Sequence, residues 1–411
     1  MSGNASFRPV NTTVLSVCAV DAPIVITSAA FDEWLADTYR RVGTRPGLLQ
    51  RLAGVVERRW WPADVSFADA AAIAAAKALA ESGIRPEQVG VMINTAVSRE
   101  YLEPSTAVAI HHQVGLPTNC LNFDLANACL GFVNGIQLAG TMIDSGQADY
   151  AVIVDAEGSR YTQELTLDRL AGDDTTAADL RAHFATLTLG SGSAAMVLGR
   201  ADRHPEGHRI IGGVSRAGTE HHDLCVGDLS GMRTDLKRLF DAGLALAVAT
   251  WMDAKSEFDW DGIDWFVAHQ TSVVHIRAIA EALGVDPARF PLTLPNYGNM
   301  GPAAIPFTLA RHMDQLRAAD RILLMGIGSG LNTSYAEIVW LSTSWSPRPA
   351  SRQTSVACPT SIRPGRNWST PSTPKAYCAP GTCSTTGSSH RWERFFACTA
   401  IRLGPICGVA F

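Results

Sequence analysis

The feature that most constrains the fold is a recurrence of apolar strand patterns in the two halves of the chain. Runs beginning near residues 89, 121 and 150 have counterparts near residues 263, 291 and 321, so the separations are 174, 170 and 171 residues. Nearly continuous apolar strands are typical of sheets that are buried on both faces. Helical spacing flanks these runs. The sequence therefore predicts an α/β protein whose two pseudo-symmetric halves form five α-β-α-β-α layers.

The pattern also predicts where the halves meet. We expect an N-terminal half at residues 1–205, with an insertion or lid at about 158–185, and a C-terminal half at residues 206–342. Residues 343–411 differ, because they hold eight basic residues, one acidic residue and five of the nine cysteines without any period. Such a segment buries little apolar surface, and we expect a disordered basic tail or a translation-frame artefact.

Composition excludes several classes of function. The formal net charge is −5, and since the tail carries +7, residues 1–342 carry −12, which gives no electrostatic case for a nucleic-acid partner. No apolar run reaches the ~18 residues of a membrane span. Met1–Asn11 lacks the apolar segment of a secretory signal, and the cysteines form no CxxC pair. We expect a cytoplasmic protein with no metal, cofactor or membrane span.

One cysteine lies at a junction that suits catalysis. The run Leu121–Leu125 alternates like a short strand, a small-residue turn follows, and helical spacing runs from Cys129 until Gly146. A helix N-terminus lowers the pKa of a thiol and favours the nucleophilic thiolate. The alternative is a small core residue, as most apolar-flanked cysteines are. Because the helix is apolar nearly all round, we expect it to be a buried central helix.

Two loops of the C-terminal half supply partners for such a thiolate. His269 directly follows a buried strand, and Asn299 lies in a glycine-rich turn before Pro302. The carboxyl ends of strands in an α/β sheet face a common crevice, so Cys129, His269 and Asn299 are expected to meet there. A lone histidine is most often structural, but the joint occurrence favours catalysis of acyl transfer through a thioester.

Three further expectations concern single elements. Pro104 is predicted to begin a helix at its first position. An extended piece is expected at Pro291–Pro295, and Arg321–Ile327 is expected to be the last buried strand.

The motifs together resemble a known superfamily. Ala126–Cys129, Ala268–Gln270 and Gly298–Pro302 are similar to the Cys-His-Asn triad of thiolase-fold condensing enzymes, in the ketoacyl synthase III branch. The resemblance runs from about Val10 to Trp340 and implies the five-layered thiolase fold. A biosynthetic thiolase is disfavoured because no second cysteine lies in the glycine-rich loop Gly326–Asn332.

Within that branch, one loop resembles the OleA family, whose members condense acyl-CoA in bacterial olefin biosynthesis. The segment Tyr101–Thr106 is similar to the loop that carries a glutamate base into the neighbouring subunit's active site, and Glu103 is the matching position. Glu100 lies nearby and matches less well, as a solvated loop charge would. An acidic residue before a helix also stabilises the helix without any catalytic role, which is the alternative for Glu103.

The resemblance implies a non-decarboxylative Claisen condensation of two long-chain fatty acyl-CoA thioesters. Cys129 would carry one acyl group, Glu103 of the partner subunit would take the α-proton of the second, and His269 with Asn299 would stabilise the enolate. The backbone N–H groups of Cys129 and Ser329 would form the oxyanion hole. The 2-alkyl-3-ketoacyl product would be released as the β-keto acid and passed to downstream enzymes of olefin or β-lactone biosynthesis.

Two other functions stay open at this point. One is a decarboxylative 3-oxoacyl synthase III that uses malonyl thioesters of acyl carrier protein. The other is a catalytically weak partner subunit of a heterodimeric condensing enzyme. Against the second, all four reactive side chains lie in one sequence.

Overall fold

The computed structural model describes residues 6–341. The chain divides into one unit at Met1–Pro349 and a second at Ala350–Phe411, which lies outside the described residues together with the rest of the predicted tail 343–411. The proposed boundary at 205/206 falls in the turn that precedes the ninth strand, and the division into halves there stays a prediction.

The first part of the chain forms eight strands and eight helices. The strands are β1 (Ser6–Phe7), β2 (Thr12–Asp21), β3 (Ile24–Thr27), β4 (Glu57–Trp60), β5 (Val91–Asn94), β6 (Leu121–Asp124), β7 (Tyr150–Glu157) and β8 (Gly192–Arg200). The helices are α1 (Ser28–Trp34), α2 (Ala36–Val42), α3 (Phe67–Ser82), α4 (Thr106–Val114), α5 (Gly131–Asp144), α6 (Arg160–Leu170), α7 (Ala177–Ala182) and α8 (Phe184–Thr188).

The second part adds six strands and four helices within the described range. The strands are β9 (His208–Ala217), β10 (Cys225–Asp228), β11 (Gly231–Thr234), β12 (Trp265–Ala268), β13 (Arg321–Gly328) and β14 (Asn332–Val339). The helices are α9 (Leu236–Phe258), α10 (Val273–Leu283), α11 (Leu294–Tyr297) and α12 (Ala304–His312).

Ten strands form one mixed sheet in the order β12-β13-β14-β9-β2-β8-β7-β5-β6, with β1 on β9. The order β2-β8-β7-β5 repeats the order β9-β14-β13-β12, and both contain the same mixture of parallel and antiparallel pairs. The two halves join where β9 pairs with β2 and with β1, each at two residue pairs. This repeat confirms the predicted pseudo-symmetry, and β6 is the edge strand of the first half.

The helices give the predicted layers. α5 and α12 contact strands of both halves, so they form the central layer between the two half-sheets. α3 and α4 cover the outer face of the first half, and α9 and α10 cover the second. Apolar side chains of α5 and α12 share one core with strands of both halves. These contacts confirm a buried central helix and the α/β five-layered architecture.

Local sequence signals account for several element ends. Ser66 and Asp69 form a reciprocal capping box at the start of α3, whose alanines pack closely on the sheet. Helices α2, α3, α4 and α10 each end at a glycine with positive φ, which satisfies the last carbonyl groups without the steric cost that a Cβ would add.

Four sequence-based expectations are wrong. The central helix begins at Gly131 rather than Cys129, and α4 begins at Thr106, after Ser105, rather than at Pro104. The segment at Pro291–Pro295 forms no strand, because it runs into the short helix α11. The strand that begins at residue 121 therefore has no counterpart strand near residue 291. Arg321–Ile327 is followed by another buried strand, β14, which pairs antiparallel with β13. The predicted insertion at 158–185 contains helices α6 and α7 and enters α8.

Candidate active site

Cys129 lies on a tight connection between β6 and α5. Ala128, just before it, has a φ of +43°, a conformation that costs free energy for a residue with a Cβ. Asn127 Nδ2 donates to Asn134 Oδ1 at 2.7 Å, which ties this turn to the first turns of α5. Strained backbone is typical of active sites, where the surrounding structure holds a reactive side chain in one orientation.

The glycine-rich loop of the second half packs directly on this turn. A Cβ placed on Gly328 would lie 2.6 Å from Leu130 Cδ2 and 3.1 Å from the backbone nitrogen of Cys129. The glycine lets the loop of the opposite half pack tightly on the turn that holds the cysteine. Both Cys129 and Ser329 line the same cavity.

That cavity has a volume of about 300 Å³ and contains the three predicted reactive side chains, Cys129, His269 and Asn299. Most of its remaining wall is apolar, with Leu52, Phe184, Met232, Leu239, Phe240 and Val274 among the lining residues. An apolar chamber with a few converging polar groups is the usual form of a small-molecule site. The structure therefore brings together the side chains that the sequence placed at separate strand ends.

His269 is held as a neutral base. It follows β12, its Nδ1 lies 3.1 Å from the carbonyl oxygen of Gly301, and its Nε2 is buried without a hydrogen-bond partner among the described residues. Because a carbonyl only accepts, Nδ1 carries the proton and Nε2 keeps its lone pair. Burial lowers the pKa of His269 to about 4. The imidazole is therefore ready to accept a proton through Nε2.

Asn299 is fixed through its backbone and its side-chain oxygen. Its backbone N–H donates to Thr188 at 2.8 Å, its carbonyl accepts from Gly190 at 2.9 Å, and its Oδ1 accepts from the Gly301 N–H at 3.0 Å. Since Oδ1 is occupied, Nδ2 is the group left to donate to a ligand. The turn requires the positive φ of Gly298, +72°.

The Cys129 thiol does not have the lowered pKa that its place near a helix start predicts. Burial raises the pKa of Cys129, and the nearby carboxyl groups of Glu157 and Asp155 raise it further, as does Cys225. The helix begins two residues later, so its partial charge is outweighed by desolvation and by like charge. This thiol therefore needs a base to become a thiolate at neutral pH.

Two buried carboxyl groups near the cysteine were missed by the sequence analysis. Asp155 and Glu157 end β7, whose eight residues are all buried. Burial and mutual repulsion raise the pKa of Asp155, and burial raises that of Glu157 against three stabilising hydrogen bonds. The sequence contains a signal for them, because acidic residues are seldom buried and these two continue an apolar strand.

Glu103 lies away from this cavity. It is exposed, as are its neighbours Tyr101 and Leu102, and none of them lines the Cys129 chamber of the same chain. Glu100 is exposed, as a solvated loop charge would be, and its carboxylate also accepts from the Phe67 N–H, at the first residue of α3, at 2.5 Å. Within one chain, Cys129, His269 and Asn299 therefore share a cavity, and Glu103 lies outside it.

Neither a metal-ligand cluster nor a membrane-spanning helix is present in the described residues, 6–341. No three histidine, cysteine or acidic side chains in that range are grouped as metal ligands. No helix in that part of the chain is both long and apolar enough to cross a membrane.

Comparison with known proteins places this site in a family. Residues 123–217 match 3-oxoacyl-(acyl-carrier-protein) synthase III, and residues 254–340 match the C-terminal part of the same family. The acyl-CoA:acyl-CoA alkyltransferase of Xanthomonas campestris is 42% identical over 334 residues, which cover 80% of this chain and 99% of the relative. That of Shewanella oneidensis is 33% identical and covers 78% and 96%.

More distant relatives are synthases. The beta-ketoacyl-(acyl-carrier-protein) synthase III of Rhodospirillum rubrum is 28% identical, covering 72% of this chain and 91% of its own. Among solved structures, Xanthomonas campestris OleA with bound lauric acid and lauroyl-CoA matches with a TM-score of 0.79 over 81% of this chain and all of that one. The cerulenin-bound form of OleA matches with a TM-score of 0.80, over 81% and 98%.

Proposed function

Because this chain belongs to the OleA-like group of the 3-oxoacyl synthase III family, and so to the thiolase-superfamily acyltransferases, we propose that it condenses two fatty acyl-CoA thioesters without decarboxylation. The observation that carries the proposal is the apolar chamber in which a cysteine, a neutral histidine and an asparagine amide converge. Its wall suits an alkyl chain, and its polar groups suit a thioester carbonyl.

The first half-reaction loads Cys129. His269 Nε2 takes the thiol proton, the sulfur attacks the acyl-CoA carbonyl, and the C–S bond to coenzyme A breaks. Coenzyme A leaves as a thiolate that takes a proton from water. The N–H groups of Cys129 and Ser329 stabilise the oxyanion that forms between these two events. His269 is then protonated at both ring nitrogens.

The second half-reaction forms the carbon–carbon bond. A carboxylate, Glu103 of the partner subunit, takes the α-proton of a second acyl-CoA. The resulting enolate is stabilised by Nε2–H of His269 and by Nδ2 of Asn299. It attacks the Cys129 thioester, the C–S bond breaks, and the thiolate recovers its proton from His269. Glu103 then releases the α-proton to solvent, where it replaces the proton that coenzyme A took from water, so each residue returns to its starting state. Hydrolysis of the 2-alkyl-3-ketoacyl-CoA then gives the β-keto acid, and no cofactor is consumed.

A base is required because neither substrate carries a group that leaves as CO2.

The loop that holds Glu103 projects from the chain between two fixed ends, and Leu102 at its tip is 94% exposed. The neighbouring edge strand β6 exposes Leu121 as well. An exposed apolar tip beside an unpaired sheet edge suits a homodimer in which each Glu103 serves the other chain's cavity.

The experiment that tests this proposal follows the acyl group. Purified protein is incubated with long-chain acyl-CoA, and its intact mass is measured together with the β-keto acid product. We expect an acyl adduct on Cys129 in the wild type and in Glu103→Ala, but condensation only in the wild type. A surface variant, Glu87→Ala, is the control. Condensation that survives in Glu103→Ala contradicts the assigned base.

The same assay separates the rival functions. Release of labelled CO2 from a malonyl thioester, with no product from two acyl-CoA molecules, supports a decarboxylative synthase. Absence of both activities in the isolated protein supports a partner subunit of a heterodimer. The proposed reaction places the enzyme in the cytoplasm, where acyl-CoA and the enzymes that process a β-keto acid in olefin or β-lactone biosynthesis are found.

A further inference from the structure

Glu157 is a buried carboxyl group that the proposed mechanism does not use. Its oxygens accept three hydrogen bonds, from the N–H of Val97 at 2.7 Å, the N–H of Ser98 at 3.2 Å and the hydroxyl of Ser98 at 2.5 Å. Val97 and Ser98 begin the loop that leads to Glu103. Burying a carboxyl group costs free energy unless hydrogen bonds replace its hydration. These three bonds therefore hold Val97 and Ser98 against Glu157, and we call this contact the anchor.

Other carboxylates fix the rest of the same loop. Glu100 is held at the Phe67 N–H, and Asp124 accepts from the N–H groups of Thr106 and Ala107 at 3.0 and 2.9 Å. Between these points only residues 101–104 project into solvent. The position of Glu103 is therefore set by the stem on which this short tip stands.

Glu157 also packs against the turn that holds His269 and Asn299. A Cβ placed on Gly301 would lie 3.4 Å from Glu157 Cδ, so the carboxyl group packs against this residue. Gly301 accepts from His269 Nδ1 through its carbonyl and donates to Asn299 Oδ1 through its N–H. One side chain therefore touches both the stem of the Glu103 loop and the residue that orients the catalytic histidine and asparagine.

We propose that Glu157 is a positioning residue that holds the Glu103 loop and the His269–Asn299 turn in one fixed arrangement. The proposal rests on the function proposed above. It predicts that loosening this anchor harms condensation, which needs both loops and two subunits, more than acyl loading of Cys129, which needs only one cavity.

Charge provides a second, independent signature. Glu157 and Asp155 both raise the pKa of the Cys129 thiol, and Arg99 is the cation that acts on Glu157. Neutralising Glu157 removes like charge near the sulfur. The thiolate should then form at lower pH, although condensation becomes slower. A merely structural defect would not make the cysteine more reactive.

Two variants separate the anchor from the charge. Ser98→Ala removes one of the three hydrogen bonds to Glu157 and the bond that the Ser98 hydroxyl accepts from the Gly158 N–H, but no charge. Condensation should fall about fivefold while the iodoacetamide alkylation profile of Cys129 against pH stays in place. Glu157→Gln weakens the anchor and removes the charge. Condensation should fall at least about tenfold, acyl loading should stay within about threefold, and the profile should move to lower pH. Glu87→Gln should match the wild type.

Amide hydrogen exchange gives a readout that needs no activity. The anchor predicts faster exchange at Val97 and Ser98 in Glu157→Gln, with β7 and α5 still protected. Unchanged exchange in the loop, or equal losses of acyl loading and condensation in both variants, would overturn the proposal. If the wild type forms no acyl adduct, the proposed function fails, whereas the exchange and alkylation results still decide whether Glu157 holds the loop.

Discussion

The Cys129 cavity and the Glu103 loop differ in almost every physical respect. The cavity is closed and largely apolar, and burial shifts the pKa of both its cysteine and its histidine. The loop tip is exposed, with Leu102 almost fully accessible, and backbone N–H groups on either side of the tip are anchored by the carboxylates of Glu157 and Asp124. The cavity gathers Cys129, His269 and Asn299 of one chain, whereas the loop presents Glu103 to solvent.

This contrast divides the proposed reaction into two parts. Acyl loading, as proposed, needs a nucleophile, a base and oxyanion donors, and Cys129, His269 and Ser329 all line one cavity. Removal of the α-proton is assigned to Glu103, which lies outside the cavity of its own chain. The following predictions test this division, beginning with the largest effect.

Replacing the nucleophile should abolish both halves of the reaction. Cys129→Ala should form no acyl adduct, and condensation should fall by at least about a thousandfold, because no covalent intermediate can form. Intact mass and product assays measure the two losses. Cys120→Ala, a buried cysteine in the outer core of the first half, is the control. An adduct of unchanged yield in Cys129→Ala would place the acyl group elsewhere.

Removing the base should slow acyl loading. His269→Ala takes away the Nε2 acceptor from a thiol whose pKa burial raises, so loading should fall about 10²–10⁴-fold. Because burial lowers the pKa of His269 to about 4, this base stays neutral above that pH and is lost by protonation as pH falls through it. Wild-type loading should therefore show no loss from His269 between pH 5 and 8. A histidine-dependent midpoint near 6.5 would contradict this environment.

Changing Leu102 at the exposed tip should weaken the dimer more than it slows acyl loading. Leu102→Asp puts a charge where the proposed dimer buries an apolar side chain, and loss of that burial costs about 1.5–3 kcal/mol. The dimer dissociation constant should rise at least about tenfold in sedimentation experiments. Acyl loading of the separated chains should persist. If the dimer is unaffected, the tip does not lie in the interface.

The smallest effect is expected at Ser329. Its proposed role belongs to the backbone N–H, which Ser329→Ala retains, so loading should change by less than about threefold. Steady-state kinetics measure this directly. A loss comparable with that of His269→Ala would show that the hydroxyl itself takes part.

The fold was predictable where sequence carries a local signal. Continuous apolar runs predicted β5, β7, β12 and β13, because a strand that is buried on both faces consists almost entirely of apolar residues. The spacing of these runs predicted the two-fold architecture. The prediction of an extended piece at Pro291–Pro295 is wrong because proline fits an extended segment as well as the start of a short helix. Strand β14 was missed since its polar residues, Asn332, Thr333 and Ser334, hide a buried strand.

The site was predictable in its residues but not in its electrostatics. Loop positions at strand ends identified Cys129, His269 and Asn299, and all three line one cavity. A helix start at Cys129 predicts a lowered thiol pKa, whereas the fold raises the pKa of this thiol through burial and through Glu157 and Asp155. Those carboxyl groups come from a neighbouring strand 26 and 28 residues away along the chain, and only the folded structure brings them near the sulfur.

In the proposed homodimer, Glu103 of one chain serves the Cys129 of the other. A mixed dimer is prepared from Glu103→Ala and Cys129→Ala chains that carry different tags, each of which is inactive in condensation alone. The mixed dimer retains one intact pairing of Cys129 with Glu103, so we predict about half of the wild-type condensation rate per dimer. A mixed dimer no more active than its two parents would contradict the exchange of Glu103 between subunits.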